Sequence, residues 1–331
     1  MLSQKEIQSQ IFTLKSEEDF NALAIHVFQI QYKHNAIYNR YVSSLPINVS
    51  DIKHYTQIPC LPISFFKTQK VISQPITKDT VCFTSSGTTG QITSKHYVAD
   101  VSVYETSFNK GFEWFYGNPS DYCILALLPN YLEREGSSLV YMFDHLIIQS
   151  QHPDSGFYLN NMNELVAKIQ ELKQRKQKTL LLGVTYALLD LADFNIELSS
   201  DFIVMETGGM KGKRPEMLKE ELHAILTQKF KVSTIHSEYG MTELLSQAYS
   251  KKEGLFVCPP WMKVLVRDVN DPFSYSFNKK TGGINVIDLA NINSCSFIET
   301  KDLGKIHDTN QFEIIGRFDN SDIRGCNLMI Q

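Results

Sequence analysis

Apolar residues recur at helical intervals between Glu17 and Lys33, at Phe20, Leu23, Ile25, Val27 and Ile30, and predict a helix there. Ser3 and Glu6 stand ahead of it at capping-box spacing, so the N-terminal region reads as helical. A loop-rich stretch with Pro46, Pro59 and Pro62 then leads through Ile63-Ser64-Phe65-Phe66 into alternating apolar strands and amphipathic helices. Strands are predicted over Cys123–Leu128, Thr179–Val184, Phe202–Met205 and Val232–Ile235, with helices near Met162–Arg175 and over Pro215–Phe230. The last helix would carry Pro215 near its first turn and Met217, Leu218, Leu222, Ile225 and Leu226 on one face. Such alternation predicts an α/β fold with mixed or parallel sheet flanked by helices. Further on the texture changes to short strands, Val264–Val266, Ile284–Leu289 and Phe312–Ile315, separated by Gly, Asn and Asp. The expected organisation is a helical segment over 1–75 packed on the core, an α/β nucleotide-binding core over 76–250, and a β-rich subdomain over 251–331.

Composition narrows the function classes. The chain has 331 residues, enough for a substantial core, and 43 % of them are hydrophobic. Lys and Arg total 32 against 36 acidic residues, and the net charge of −4 removes a general case for nucleic-acid binding. The polar start, Met1 to Glu6, lacks the apolar core of an export signal, and no apolar run approaches a membrane span. Six cysteines are scattered without paired metal spacing, most in apolar segments, so a cytoplasmic protein with reduced thiols is expected.

Chemistry concentrates in short turns. Ser85-Ser86-Gly87-Thr88-Thr89-Gly90, after the apolar Val81-Cys82-Phe83 and before Lys95, combines backbone donors, hydroxyls and a cation in a form suited to polyphosphate. It lacks the Gly-Lys-Ser/Thr ending of the NTPase loop, and the same composition also suits a plain surface turn. His236-Ser237-Glu238-Tyr239-Gly240-Met241-Thr242-Glu243 follows a predicted strand, where open α/β sheets bind ligands. There Gly240 allows close backbone approach, Thr242 can donate to a phosphate, Tyr239 offers a flat face and Glu243 can hold a magnesium ion. Glu206-Thr207-Gly208-Gly209 ends another strand and can reach an adenine edge or simply form a tight turn. Asp302, in Thr300-Lys301-Asp302-Leu303-Gly304, suits ribose hydroxyls, and Arg317 in Gly316-Arg317-Phe318-Asp319 adds donors to ribose or phosphate; each can equally be a solvated hairpin charge.

In this order the segments resemble the large domain of the adenylate-forming superfamily of acyl-CoA synthetases and luciferase-type ligases. Ser85 to Gly90 with Lys95 resembles its phosphate loop, Tyr239 to Glu243 its Tyr-Gly-x-Thr-Glu motif, Asp302 its ribose-binding aspartate and Arg317 the arginine of its hinge approach. Leu61 to Lys67, Tyr131-Leu132-Glu133-Arg134, Met205 to Lys211 and Arg324-Gly325-Cys326 further resemble the acyl-protein synthetase of bacterial bioluminescence.

The resemblance implies ATP-dependent activation of a carboxylic acid, a fatty acid in the bioluminescent group, as an acyl-adenylate. ATP and Mg²⁺ would be required, with Glu243 as the metal ligand. Lys95, Thr242, Glu243 and Cys326 would carry the chemistry, Cys326 by holding the acyl group as a thioester. Cys326 also suits packing beside Leu328 and Met329, and coenzyme A, a carrier protein or another acceptor is the alternative. By the same resemblance the chain stops after the large domain, without the small lid domain and its lysine, a place that a partner subunit could fill.

His236 is a candidate acid/base or acyl-pocket residue, or a hydrogen-bonded structural histidine. His96 would touch phosphate or face solvent. The aromatic run Phe108, Phe112, Trp114, Phe115 and Tyr116 would wall an acyl pocket or pack in the core. A nucleotide or acyl-adenylate binding protein without catalysis is the reading from another class.

Overall fold

The computed structural model describes residues 4–86, 92–129, 136–209, 214–215, 217–269, 271, 273–275, 280–307 and 311–318. Helices α1 (Gln4–Ile11), α2 (Glu17–His34) and α3 (Ala36–Ser43) open the chain and are followed by strand β1 (Leu61–Pro62) and the short helix α4 (Phe65–Thr68). Strands β2 (Val81–Thr84) and β3 (Lys95–Val98) form a separate two-stranded sheet. Then come α5 (Val101–Tyr116), β4 (Cys123–Leu127), α6 (Ser138–Ser150), β5 (Gly156–Phe157), α7 (Met162–Gln174), β6 (Thr179–Val184), α8 (Thr185–Ala192), β7 (Phe202–Thr207), α9 (Lys219–Phe230) and β8 (His236–Tyr239). Six strands close the described chain: β9 (Ala248–Ser250), β10 (Phe256–Val257), β11 (Met262–Arg267), β12 (Gly282–Asp288), β13 (Phe297–Ile306) and β14 (Gln311–Arg317).

One sheet runs β11-β12-β13-β14-β10-β9-β8-β7-β6-β4-β5, with β1 alongside β13. From β8 to β5 the pairing is parallel, and from β8 to β11 it is antiparallel. Strands β4 and β6 are buried at every position, which explains sequences that are apolar but for Thr179. The fold class read from the sequence is the one observed, a mixed sheet flanked by helices with a strand-rich C-terminal part.

Local chemistry sets the helix ends. The Ser16 side chain caps α2 by accepting from the Asp19 amide, and Glu17, Glu18 and Asp19 complement the helix dipole in the first turn. Ser3 lies outside the described residues. Inside α2, Gln31 donates to the carbonyls of Asn291 and Ile292, and Asn35 at its end donates to that of Ser294, locking the N-terminal helices onto the turn after β12.

Two elements differ from the sequence reading. The strand expected over Val232–Ile235 begins at His236, where pairing with Met205 starts. Its polar Ser237 and Glu238 are buried, so hydrophobicity does not mark this strand. The helix expected from Pro215 starts at Lys219, because Leu218 is extended (ψ 143°) and its side chain is exposed. Its buried face is Leu222, Leu226 and Phe230.

Candidate active site

The phosphate-type loop springs from the β2–β3 hairpin, whose last pair is Thr84 with Lys95. Beyond that pair the Ser85 amide donates to the Ser94 carbonyl at 3.1 Å, and the Ser94 amide donates to the Ser85 hydroxyl at 2.9 Å, so the neck of the loop is closed. Gly87, Thr88, Thr89 and Gly90 lie outside the described residues. The Thr84 amide also donates to the Gly136 carbonyl at 2.7 Å, which ties the hairpin to the start of α6. Gly136 has φ +82°, and a Cβ there would stand 3.1 Å from the Thr84 hydroxyl, so glycine suits the position on both counts.

Strands β7 and β8 end side by side, with Thr207 opposite Glu238. The Thr207 hydroxyl donates to the Glu238 carboxyl, and the Thr185 hydroxyl holds the Gly208 carbonyl at 3.1 Å. A cavity of about 160 Å³ opens at these strand ends, lined among others by Thr84, Ser86, Thr207, Gly208, Gly240 and Thr242. Three segments singled out in the sequence, 121 residues apart at the first two, therefore meet at one cavity: Ser86 and Thr207 belong to the first pair and Thr242 to the third. Gly209 is exposed next to Gly208. Lys95 is exposed at the neck of the loop and is not among the cavity's lining residues.

Thr242 and Glu243 form the turn between β8 and β9, and β3 holds it. His96 Nδ1 lies 2.8 Å from the Thr242 carbonyl, which can only accept, and Nε2 lies 3.0 Å from Asn291 Oδ1. Asn291 in turn donates to the Glu243 carbonyl at 2.7 Å. His96 is fully buried, and burial pushes it down to about 4 against the pull of these two contacts. It thus does not touch solvent; it positions the Thr242 backbone. Beyond Leu244, Leu245 and Ser246 are fixed by Asp288, whose carboxylate accepts from the amides of both and from the Ser246 hydroxyl.

Glu243 is 5 % exposed. Burial pushes its carboxyl up, while Ser94, its own backbone amide and the charges of Arg317 and Lys67 pull the other way. A buried carboxylate of this kind fits Mg²⁺, which commonly takes one or two carboxylates and completes its shell with phosphate and water oxygens. Among the described residues no group of three His, Cys, Asp or Glu could hold a metal without such help.

Tyr239 turns its phenol inward and donates to Asp302 Oδ2 at 2.8 Å, with its ring against Phe256 and Phe312. Asp302 faces Arg317 across β13 and β14, with Arg317 Nε 3.3 Å from Oδ1. Burial raises the Asp302 carboxyl, opposed by Arg317 and the Tyr239 hydrogen bond, while Arg317 itself is largely exposed. One hydrogen bond thus links the expected ribose aspartate to the motif that carries Thr242 and Glu243.

His236 starts β8, and its Nδ1 meets the Tyr116 hydroxyl at 3.1 Å. Burial, with Lys251 and His223 nearby, pushes it down to about 4, so the ring is neutral at physiological pH. Of the aromatic run on α5, Phe108 and Phe112 are core residues and Trp114 is exposed; the helix gives the cavity Tyr104 instead. Cys326 lies outside the described residues. Glu238, Gln247, Asn291 and Asp288 were not marked by the sequence as site residues, although Glu238 sits inside the motif that was.

The architecture matches solved structures. ATP-bound MatB from Rhodopseudomonas palustris superposes with a TM-score of 0.53 at 16 % identity, over 74 % of this chain and 50 % of MatB. An open conformation of 2-hydroxyisobutyryl-CoA ligase in complex with 2-HIB-AMP and CoA superposes with a TM-score of 0.69 at 13 % identity, over 97 % of this chain and 80 % of the ligase. This is the adenylate-forming fold. The chain spans about half the length of MatB, and at these identities the likeness is one of fold. No protein-family model and no curated protein matches the sequence.

Proposed function

We propose that this chain activates a carboxylic acid with ATP and passes the acyl group to a thiol. The carboxylate oxygen attacks the α-phosphorus, pyrophosphate leaves, and a thiolate then attacks the acyl carbon and releases AMP. The observation that carries this reading is the convergence of Ser86, Gly208 and Thr242 on one cavity, with Asp302 tied by a hydrogen bond to Tyr239 of the motif that carries Thr242.

The roles proposed for the residues are those that the resemblance implies. Ser85, Ser86 and the following Gly87-Thr88-Thr89-Gly90, with Lys95, hold phosphate oxygens; Thr242 donates to the α-phosphate. Gly208 and Gly209 let the backbone approach adenine, and Asp302 with Arg317 takes the ribose hydroxyls. Donors fixed before the reaction stabilise charge on the transferring group without having to reorganise. Glu243 would hold Mg²⁺, which when bound neutralises charge on the pyrophosphate.

The thiol is Cys326 or an external one. Burial pushes Cys60, Cys123 and Cys258 up to about 12, raises Cys295 further, and raises Cys82 as well, so these five are poor nucleophiles at neutral pH. Cys326 beside Arg324 is the acceptor within the chain under the bioluminescence-type reading; coenzyme A, present in the solved ligase complex, is the external alternative. That resemblance also suggests a fatty acid.

Acid-dependent exchange of labelled pyrophosphate into ATP tests the first step. The expected result is exchange that requires an acid, ATP and Mg²⁺ together. ATP binding without exchange for any acid would instead make the chain a nucleotide-binding module. With exchange established, a Cys326→Ser variant separates the acceptors: loss of a stable acyl-protein label assigns Cys326, and an unchanged thioester yield with coenzyme A assigns the external thiol.

A further inference from the structure

Resting on the ribose placement proposed above, we propose that Arg267 is a positioning residue for the nucleotide: its guanidinium braces the bulge of β13 from which Asp302 meets the ribose hydroxyls. The ladder between β12 and β13 changes register there. Gly283 faces Leu303 and Asn285 faces Glu299, so the single residue Ile284 stands against three, Thr300, Lys301 and Asp302. A bulge of this kind disrupts the ladder and leaves backbone groups to be satisfied from elsewhere.

Arg267 supplies the donors. It ends β11, on the far side of β12 from β13, and its buried side chain crosses β12 to reach the bulge. Nη1 donates to the Ile284 carbonyl at 3.0 Å and to Asn285 Oδ1 at 2.9 Å, and Nη2 donates to the Thr300 carbonyl at 2.9 Å. The Thr300 hydroxyl donates to the same Ile284 carbonyl at 2.7 Å and accepts from the Asp302 amide at 3.1 Å. One planar fork thus fixes both strands at the bulge, and one hydroxyl carries that fixation to the Asp302 backbone.

The crossing depends on Gly283. A Cβ there would stand 2.3 Å from the guanidinium carbon, so an alanine would push the fork aside. The guanidinium also stands over the Phe318 ring, 5.3 Å from its centre, and the Phe318 amide donates to the Lys301 carbonyl at 2.6 Å. Phe318 directly follows Arg317, so both residues proposed for the ribose lie in this frame. A lysine in place of Arg267 would keep a charge near Glu299, whose Oε1 is 3.6 Å from Nη2, but would lose the rigid fork that feeds two carbonyls at once.

The test is equilibrium binding, in the presence of Mg²⁺, of ATP and of 2′,3′-dideoxy-ATP, which lacks both ribose hydroxyls. To the natural sequence ATP should bind about tenfold or more tighter, in keeping with hydrogen bonds to a charged group, and Asp302→Ala should bring the two nucleotides together. Arg267→Lys and Gly283→Ala should each cut the preference for ATP by about threefold or more while leaving dideoxy-ATP within about threefold. A preference that collapses in Asp302→Ala yet stands unmoved in both other variants would overturn the inference and leave the ribose on Asp302. Equal weakening of the two nucleotides would also overturn it, since a general loss of structure does not tell them apart. A preference that survives Asp302→Ala, or none in the natural sequence, would remove the ribose placement and the inference with it. Should either the lysine or the alanine variant not fold, the other decides.

Discussion

Glu243→Gln is expected to lower acid-dependent pyrophosphate exchange by a factor of about 10²–10³, the range seen when one preorganised electrostatic partner of a transition state is removed. Glutamine keeps the shape of the side chain and can still accept from Ser94, which hydrogen-bonds the native carboxyl. It removes the charge that would hold Mg²⁺ against the phosphates. Burial already disfavours that charge, so its removal should leave the unfolding midpoint unchanged or slightly raised. Parallel exchange assays and thermal unfolding separate the two effects. Exchange at the natural rate would dismiss Glu243 from the chemistry, and a large fall in midpoint would make its role structural.

Asp288→Ala should produce the largest loss of stability. The fully buried carboxylate accepts from the amides of Leu245, Ser246 and Ala290 and from the Ser246 hydroxyl, at 2.7, 3.0, 3.1 and 2.6 Å. Removing it leaves several buried donors unpaired, each costing about 1–3 kcal/mol before relaxation, so a loss on the order of 3–5 kcal/mol is expected. Asp288→Asn should cost less, about 1–3 kcal/mol, because one acceptor remains. The Asp288 carboxyl is also pushed by burial from 3.8 to about 6. The folded protein therefore binds this proton more tightly than the unfolded chain, and the associated stability is complete below about pH 4 and lost as pH rises through about 6. Urea unfolding between those limits should show a decline that is shallower in Asp288→Asn. Since Asp288 fixes the residues that follow Glu243, the alanine variant should lose exchange as well. A variant as stable and active as the natural sequence would show that this carboxylate does not organise the turn.

What the sequence makes legible follows from how local the cause is. Strands β4 and β6 announce themselves because burial at every position goes with a run that is apolar but for Thr179. Helices α2 and α7 carry their periodicity and end within a residue of where it stops. The site segments stand out because each is a turn whose glycines, hydroxyls and charges are contiguous. Strand β8 is displaced in the sequence reading because its polar residues Ser237 and Glu238 are buried, so no apolar run marks it. The supports of the site are hidden for a different reason. His96 reaches Thr242 across 146 residues and Asn291 across 195, so no short motif contains either contact. Within the motif, Tyr239 reads as a flat face for a base, whereas in the fold its phenol turns to Asp302, 63 residues on.

The central claim is that separate segments surround one molecule of acyl-adenylate. A crystal structure of the protein with an acyl-sulfamoyl adenosine, an unreactive mimic of that intermediate, measures this directly. The account predicts the sulfamate at Thr242, the ribose hydroxyls on Asp302 and the adenine along Gly208 and Gly209. A mimic bound elsewhere, or one that reaches Thr242 with its ribose far from Asp302, would contradict it.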